Sequence, residues 1–252
     1  MATTTAVSPE APEPAKVPIN HFGRITGMFF SPRATFEQIA RRPSWLAPVL
    51  LMTIVGLVVG VAINQRVDWR DVASKRIEET PRAANLSAEQ KEQQISIGAK
   101  VSPYFAYGFG LIGPILLVVI VAVVMWGAYN LLGGANASYG VSLAIVSHAF
   151  VVTVVSSLLF ILILYLKPIG TVDLENPVAA NLGALVPDGS AKWLEKLASA
   201  IDVFSFWVMA LIGIGYAAFN PKKLKTGSAI AICFGVWAAY EVVRVGFSFI
   251  FS

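Results

Sequence analysis

Five apolar runs in which charge nearly vanishes constrain this chain more than any other feature: residues about 46–63, 104–132, 141–166, 203–219 and 228–250. A hydrocarbon core ~30 Å thick is crossed by about 20 apolar residues in a helix. A helix suits that solvent because it satisfies its backbone polar groups internally. Composition agrees: 56% of the 252 residues are hydrophobic and 13% are charged, whereas a soluble domain carries roughly 25% charged residues. So few charges cannot cover a water-facing surface. The expected fold is all-α and integral to the membrane, with five transmembrane helices in a domain spanning 44–252.

The runs are flanked by segments of different character. Residues 1–18 are rich in Pro, Ala, Thr and Glu, a composition that buries too little to fold and reads as a disordered tail. In the juxtamembrane segment 19–43, Ile19, Phe22, Ile25 and Phe29 recur every three to four residues. Ser31 before Pro32 reads as a helix start. Phe36, Ile39 and Ala40 then fall opposite Arg33, Glu37 and Arg41. Two short amphipathic helices lying on the membrane surface are the expectation. Residues 64–103 read as an extramembrane loop with two helices, one ended by Pro81 and one opened by a capping box of Ser87 and Gln90. Within 168–202, Trp193, Leu194, Leu197 and Ile201 share a helical face. A bend is expected at Pro114, inside the second run.

Basic residues near span ends set orientation. Arg24, Arg33, Arg41 and Arg42 precede the first run, and Lys222, Lys223 and Lys225 crowd the connection before the fifth. Five crossings with the N-terminus in the cytoplasm place both groups on one side. The loop 64–103 also carries Lys and Arg, but interleaved with acids.

Several function classes are excluded. A nucleic-acid binder shows a coherent basic face, and the net charge of +4 is spread over several loops. Cys233 has no second cysteine to bridge. His21 and His148 lie far apart on different kinds of segment, so no metal site is expected. There is no G-x-S-x-G, no H-E-x-x-H and no phosphate-binding loop. No catalytic residue, cofactor or enzymatic activity is expected.

What remains is a small set of polar and packing residues inside the spans. Glu241 and Arg244 are three apart and share a helical face. A lone charge at the bilayer centre costs ~2.5–3.5 kcal/mol on insertion scales, so the pair reads either as an internal ion pair or as an arginine snorkelling to the headgroups. His148 lies in a stripe with Ser147, Thr153, Ser156 and Ser157 and is expected to bond a neighbouring helix. Asn130 is expected to cap or bond near the end of its span. Gly56 and Gly60 form a G-x-x-x-G, a spacing that lets helices approach closely, within the bundle or between two copies. The sequon at Asn136 falls on a short turn and reads as chance.

Three stretches together resemble one known group. "GRITGMFFSPRATFEQIARRPSWLAPVLLM", "LLGGANASYGVSLAIVSHAFV" and "LIGIGYAAFNPKKLKTGSAIAICFGVWAAY" are similar to the juxtamembrane opening, the Gly-rich turn and the closing pair of spans of bacterial-type Yip family membrane proteins. The resemblance covers about residues 22–250 and implies five transmembrane helices with a cytoplasmic N-terminus. Eukaryotic members bind Rab-type GTPases in vesicle trafficking, but "FFSPRATF" stands where their acidic "DLYGP"-type motif would be. The resemblance supplies no catalytic residues. The expected role is non-enzymatic: organising membranes or membrane protein complexes from a bacterial inner membrane. The expected partners are the lipid bilayer and other membrane proteins or a second copy. The alternatives are a small transporter or channel using Glu241, Arg244 and His148, and an accessory subunit stabilising a larger complex.

Overall fold

The computed structural model describes residues 20–78, 80, 85–172, 174, 176–187 and 189–251. The tail 1–18 and Pro81 lie outside the described residues. Among those described, the regular structure is helical. Each apolar run folds as a helix: α3 over Leu46–Arg66, α5 over Ala88–Gly133, α6 over Tyr139–Ala149, α7 over Thr153–Leu166, α9 over Val203–Phe219 and α10 over Thr226–Phe251. A 3-10 turn at Phe150–Val152 joins α6 to α7, so the third span is one rod with a tightened turn. The remaining helices are α1 (His21–Phe30), α2 (Pro32–Arg41), α4 (Trp69–Glu78) and α8 (Lys192–Ala200).

Four of the spanning rods are long and apolar enough to cross a membrane, and α9 is a shorter apolar helix. At 1.5 Å per residue, the 17 residues of α9 span about 26 Å. Its two ends nonetheless meet opposite ends of the bundle. Asp202, which caps its start, bridges to Asn181 in the segment leading to α8. Asn220, just past its end, donates to the carbonyl of Ala135 in the α5–α6 turn.

Aromatic residues mark the bilayer's edges, where their half-polar rings settle. From Trp45 at the head of α3 to Gln65, which accepts from the Tyr165 hydroxyl at 2.7 Å, is 20 residues, about 30 Å. From Tyr104 to Trp126 on α5 is 22 residues, about 33 Å. Both match the ~30 Å hydrocarbon thickness. Two ends of the molecule follow. The hairpin end carries α1, α2, the 134–138 turn and the 220–225 turn. The distal end carries α4, the first turns of α5 and α8.

The structure departs from the sequence expectation at two elements. The second helix of 64–103 is not a separate piece. The capping box at Ser87 and Gln90 is present, but the helix it opens continues for 46 residues through Pro103 and Pro114, about 69 Å. Once nucleated, a helix propagates until something stops it, and the change from polar to apolar residues near 103 is a change of solvent, not a break. Neither proline ends it. The polar first turns stand outside the bilayer with α4 packed alongside, tied by Arg70 to Glu92 at 2.6 Å.

The second departure concerns α1 and α2, which do not simply lie on the lipid surface. Met28, Phe36 and Ile39 are buried in the same core as α6 and α9. The Phe36 ring lies against Gly215, where a Cβ would meet it at 3.1 Å, and Phe29 meets Trp207 edge-on at 5.8 Å. On α1 the apolar repeat was a sound signal for a helix but not for its inward face. The protein takes Arg24 and Met28, while Phe22 and Phe30 are left exposed. Outward apolar residues such as Leu111, Ile112, Leu116 and Ile120 on α5 are likewise exposed, as expected where the surrounding solvent is lipid.

At the centre, Tyr129 and Tyr216 stack at 3.7 Å, and the Tyr129 hydroxyl donates to the Ala229 carbonyl at 2.6 Å. This contact ties α5, α9 and α10 together.

Candidate functional site

The hairpin is built on one buried arginine. Asn20 caps α1 by accepting from the Gly23 amide, which fixes the register that turns Arg24 inward. The Arg24 guanidinium donates to the carbonyls of Arg42 (2.9 Å) and Gln38 (3.1 Å) and to the Ser44 hydroxyl (2.9 Å). Those carbonyls lie at the close of α2: Gln38 in its last turn, whose carbonyl also accepts the Arg42 amide, and Arg42 just past it. The planar guanidinium reaches these acceptors from two separate nitrogens, whereas an ammonium offers its donors from a single point. Burial, with the nearby charge of Arg42, pulls the Arg24 pKa below its ordinary value. Ser31 occupies the N-cap position of α2 with Pro32 after it, but its side chain makes no capping bond; its carbonyl instead accepts from the Thr35 hydroxyl.

Fixed this way, α2 points its cations outward. Arg33, Arg41 and Arg42 are exposed, as are Lys222, Lys223 and Lys225 on the 220–225 turn at the same end. The turn itself is anchored by Leu224, buried against Gly133. Glu37 is the counter-charge among the described residues of this end, 3.5 Å from Arg33.

Asn130 does what its position suggested, and more. Its amide donates to the Ala137 carbonyl and accepts from the Ala137 amide, and Trp126 donates to the same carbonyl. The α5–α6 turn, with Gly134 and Asn136 at positive φ, is held rigid by these bonds. Asn136 lies in that turn.

Gly56 and Gly60 meet α5. A Cβ on Gly56 would fall 2.5 Å from the Gly110 carbonyl, and one on Gly110 would fall 2.5 Å from the Gly56 carbonyl. Gly60 faces Ala106 at 3.2 Å. This seam packs within the chain. The similar spacing of Gly235 and Ala239 on α10 is exposed, with nothing within 4 Å of a Gly235 Cβ.

Glu241 and Arg244 form an ion pair at 2.7 Å, and Arg244 also donates to the Lys196 carbonyl of α8 at 2.8 Å. Trp193 of α8 meets Phe249 of α10 edge-on. Counted from Thr226, Glu241 lies about 22 Å into its helix and Arg244 about 27 Å. The pair therefore sits near the distal interface, not at mid-bilayer, and clamps α8 onto α10. The rest of the α8 apolar face, Leu194, Leu197 and Ile201, stays partly exposed.

His148 is fully buried, and the expected bond to another helix is absent. Its Nδ1 instead contacts the Ala144 carbonyl one turn back, at 2.8 Å. Nε2 has no hydrogen-bond partner among the described residues. Ser147 and Thr153 bond their own helix in the same manner, because a short hydroxyl reaches a carbonyl three or four residues back. His148 lies about 13 Å into its span from Tyr139, on a different helix and at a different depth from Glu241. These three ionisable groups do not form one site.

Two hollows complete the picture. A cleft of about 420 Å³ at the distal end is lined by Arg66, Asp68, Asp71, Lys75, Arg76 and Thr171 among others. A lipid-facing groove of about 640 Å³ runs between α5, α7, α9 and α10 past Thr153, Ser157 and Trp237. Among the described residues, no three His, Cys, Asp or Glu side chains gather where they could hold a metal ion.

Arg24 escaped the sequence reading as a site residue because a lone arginine in an amphipathic helix looks solvated. The signal was Met28 one turn on, sharing its face. The partners of Gly56 were present as the glycines of the second run, Gly108, Gly110 and Gly113, without a cue for which one pairs.

Comparison with known proteins adds a consistent identity. The family model of the Yip1 domain matches residues 26–243. Among curated proteins, the chain is 24% identical over 222 residues to "Membrane protein YknW" of Bacillus subtilis (strain 168), covering 86% of this chain and 88% of that one. No solved structure matches significantly.

Proposed function

Since the chain belongs to the Yip1 domain family of integral membrane proteins, we propose that it acts without catalysis, organising membranes or membrane protein complexes. In this reading it sits in a bacterial inner membrane with the hairpin end in the cytoplasm. The observation that carries the proposal is where the ionisable groups go. Arg24 is taken up in closing α2, Glu241 and Arg244 in holding α8, and His148 in a bond within its own helix. The surfaces left outward are apolar spans, exposed aromatics and cations, which suit contact with lipid and with other membrane proteins.

The test is photo-crosslinking in native membranes from Phe22, Phe30 and the exposed α10 position Tyr240. Reproducible crosslinks to the same membrane proteins or to a second copy support the proposal; crosslinks to bulk lipid alone at every position count against it. The transport reading requires Glu241 and Arg244 to be available to a solute. It is tested by flux in proteoliposomes: flux lost in Glu241→Gln would establish it. Deleting 19–43 is a poor test, since Met28, Phe36 and Ile39 belong to the core.

A further inference from the structure

The hairpin end presents a cationic surface that the sequence scatters over two segments about 180 residues apart. Exposed on it are Arg33, Arg41 and Arg42 from α2 and Lys222, Lys223 and Lys225 from the 220–225 turn, against the single described carboxylate of Glu37. The distal end is different in kind. There Arg70 pairs with Glu92, Lys75 with Asp71, and Arg66 is spent on the carbonyls of Leu164 and Lys167. The distal end also carries Arg76, Lys91, Lys100, Lys167, Lys192 and Lys196, but there the cations are interleaved with the carboxylates of Asp68, Asp71, Glu78, Glu89, Glu92 and Glu195, so the net positive charge gathers at the hairpin end.

We propose that the hairpin end is a binding surface for anionic phospholipid headgroups, gripped between α2 and the 220–225 turn. Charge complementarity names the occupant. Arg41 and Arg42 stand four and three residues before Trp45, and the lysine turn is tied through Asn220 to the turn that Trp126 bonds; the negative charges found at a bilayer edge are headgroup phosphates. Two fixed features make this a built surface. Arg24 locks the end of α2, from which Arg41 and Arg42 project, and buried Leu224 with Asn220 locks the lysine turn. Phe22 and Phe30 on α1 are exposed, and aromatic rings of this kind anchor a segment to the membrane interface. Attraction of this kind falls off within a Debye length, about 8 Å at physiological salt, so it acts on the first layer of lipid. Lipid selectivity and the organisation of complexes are separate properties, and failure of one leaves the other standing.

The experiment reconstitutes the full chain in phosphatidylcholine bilayers with a minority of spin-labelled phosphatidylglycerol or spin-labelled phosphatidylcholine, and compares the fraction of each held at the protein. The native chain is expected to retain phosphatidylglycerol several-fold over phosphatidylcholine, with the preference shrinking in 0.5 M salt. Replacing Lys222, Lys223 and Lys225 by Gln, or Arg33, Arg41 and Arg42 by Gln, is expected to lower that preference roughly fivefold or to abolish it. All six positions are exposed, so folding is checked by an unchanged melting profile. Replacing Arg70, Lys75 and Lys91 at the distal end should leave the preference intact. Equal retention of the two lipids by the native chain overturns the proposal. So does a preference that survives both triple variants or disappears in the distal one, and so does binding of inorganic phosphate without selectivity for the lipid.

Discussion

The seam between α3 and α5 offers a quantitative test. A methyl group on Gly56 would lie 2.5 Å from the Gly110 carbonyl oxygen, roughly 1 Å inside the range at which non-bonded atoms attract. That oxygen belongs to the backbone and cannot rotate away, so the helices must separate. Overpacking of this kind costs about 1–3 kcal/mol. Alanine recovers up to about 1 kcal/mol through better helix propensity, leaving a net loss of up to about 2 kcal/mol for Gly56→Ala. At about 2–4 °C per kcal/mol for a chain of this size, melting in detergent micelles should fall by up to about 8 °C. Gly110→Ala should behave alike, because a Cβ there meets the Gly56 carbonyl at the same 2.5 Å. The double variant should lose less than the sum, since one separation accommodates both methyls. Gly235→Ala, with open space around it, gains propensity alone and should melt at or above the parent. If Gly56→Ala melts as high as Gly235→Ala, or the double variant is strictly additive, the two helices do not meet along this seam.

Other perturbations follow from the same geometry. Arg24→Met removes three charge-assisted hydrogen bonds and should destabilise the chain by about 2–4 kcal/mol in reversible unfolding; Arg24→Lys should recover little of it. Glu241→Gln leaves Arg244 with the Lys196 carbonyl alone and should cost about 1–3 kcal/mol, seen as faster hydrogen exchange in α8 and no change in proteoliposome flux. Tyr129→Phe keeps the stack on Tyr216 and loses the bond to Ala229, about 1 kcal/mol. Tyr129→Ala should cost about 3–5 kcal/mol by the same melting assay.

Much of the architecture was legible before any coordinates because lipid imposes a simple rule: an apolar run of sufficient length becomes a helix. The capping box at Ser87, the short connections at 133–140 and 220–227, and the one-turn spacing of Glu241 and Arg244 could be read for the same reason, being local. What could not be read was which face meets which partner. The α1 stripe of Phe22, Ile25 and Phe29 reads as the face that a surface-lying helix turns to the lipid. In a bilayer, however, outward and inward faces are both apolar, and the protein chose the face with Arg24. The length of α5 was missed because the sequence changes solvent at residue 103 without changing conformation. His148 was placed on the correct helix with the wrong acceptor, because a carbonyl one turn back competes with any neighbouring helix and leaves no trace in composition.

Five crossings, with α9 as the shortest, gather the hairpin and the basic turn at one face of the membrane. Cysteine accessibility tests this most directly. In a Cys233→Ser background, Gln38→Cys, Lys223→Cys and Lys192→Cys each place one thiol at an exposed position and Lys91→Cys at a half-exposed one, to be labelled with an impermeant reagent on sealed vesicles of known sidedness. Positions 38 and 223 should label from one side, and 91 and 192 from the other. Labelling of 38 and 223 from opposite sides, or of 192 and 223 from the same side, would contradict it.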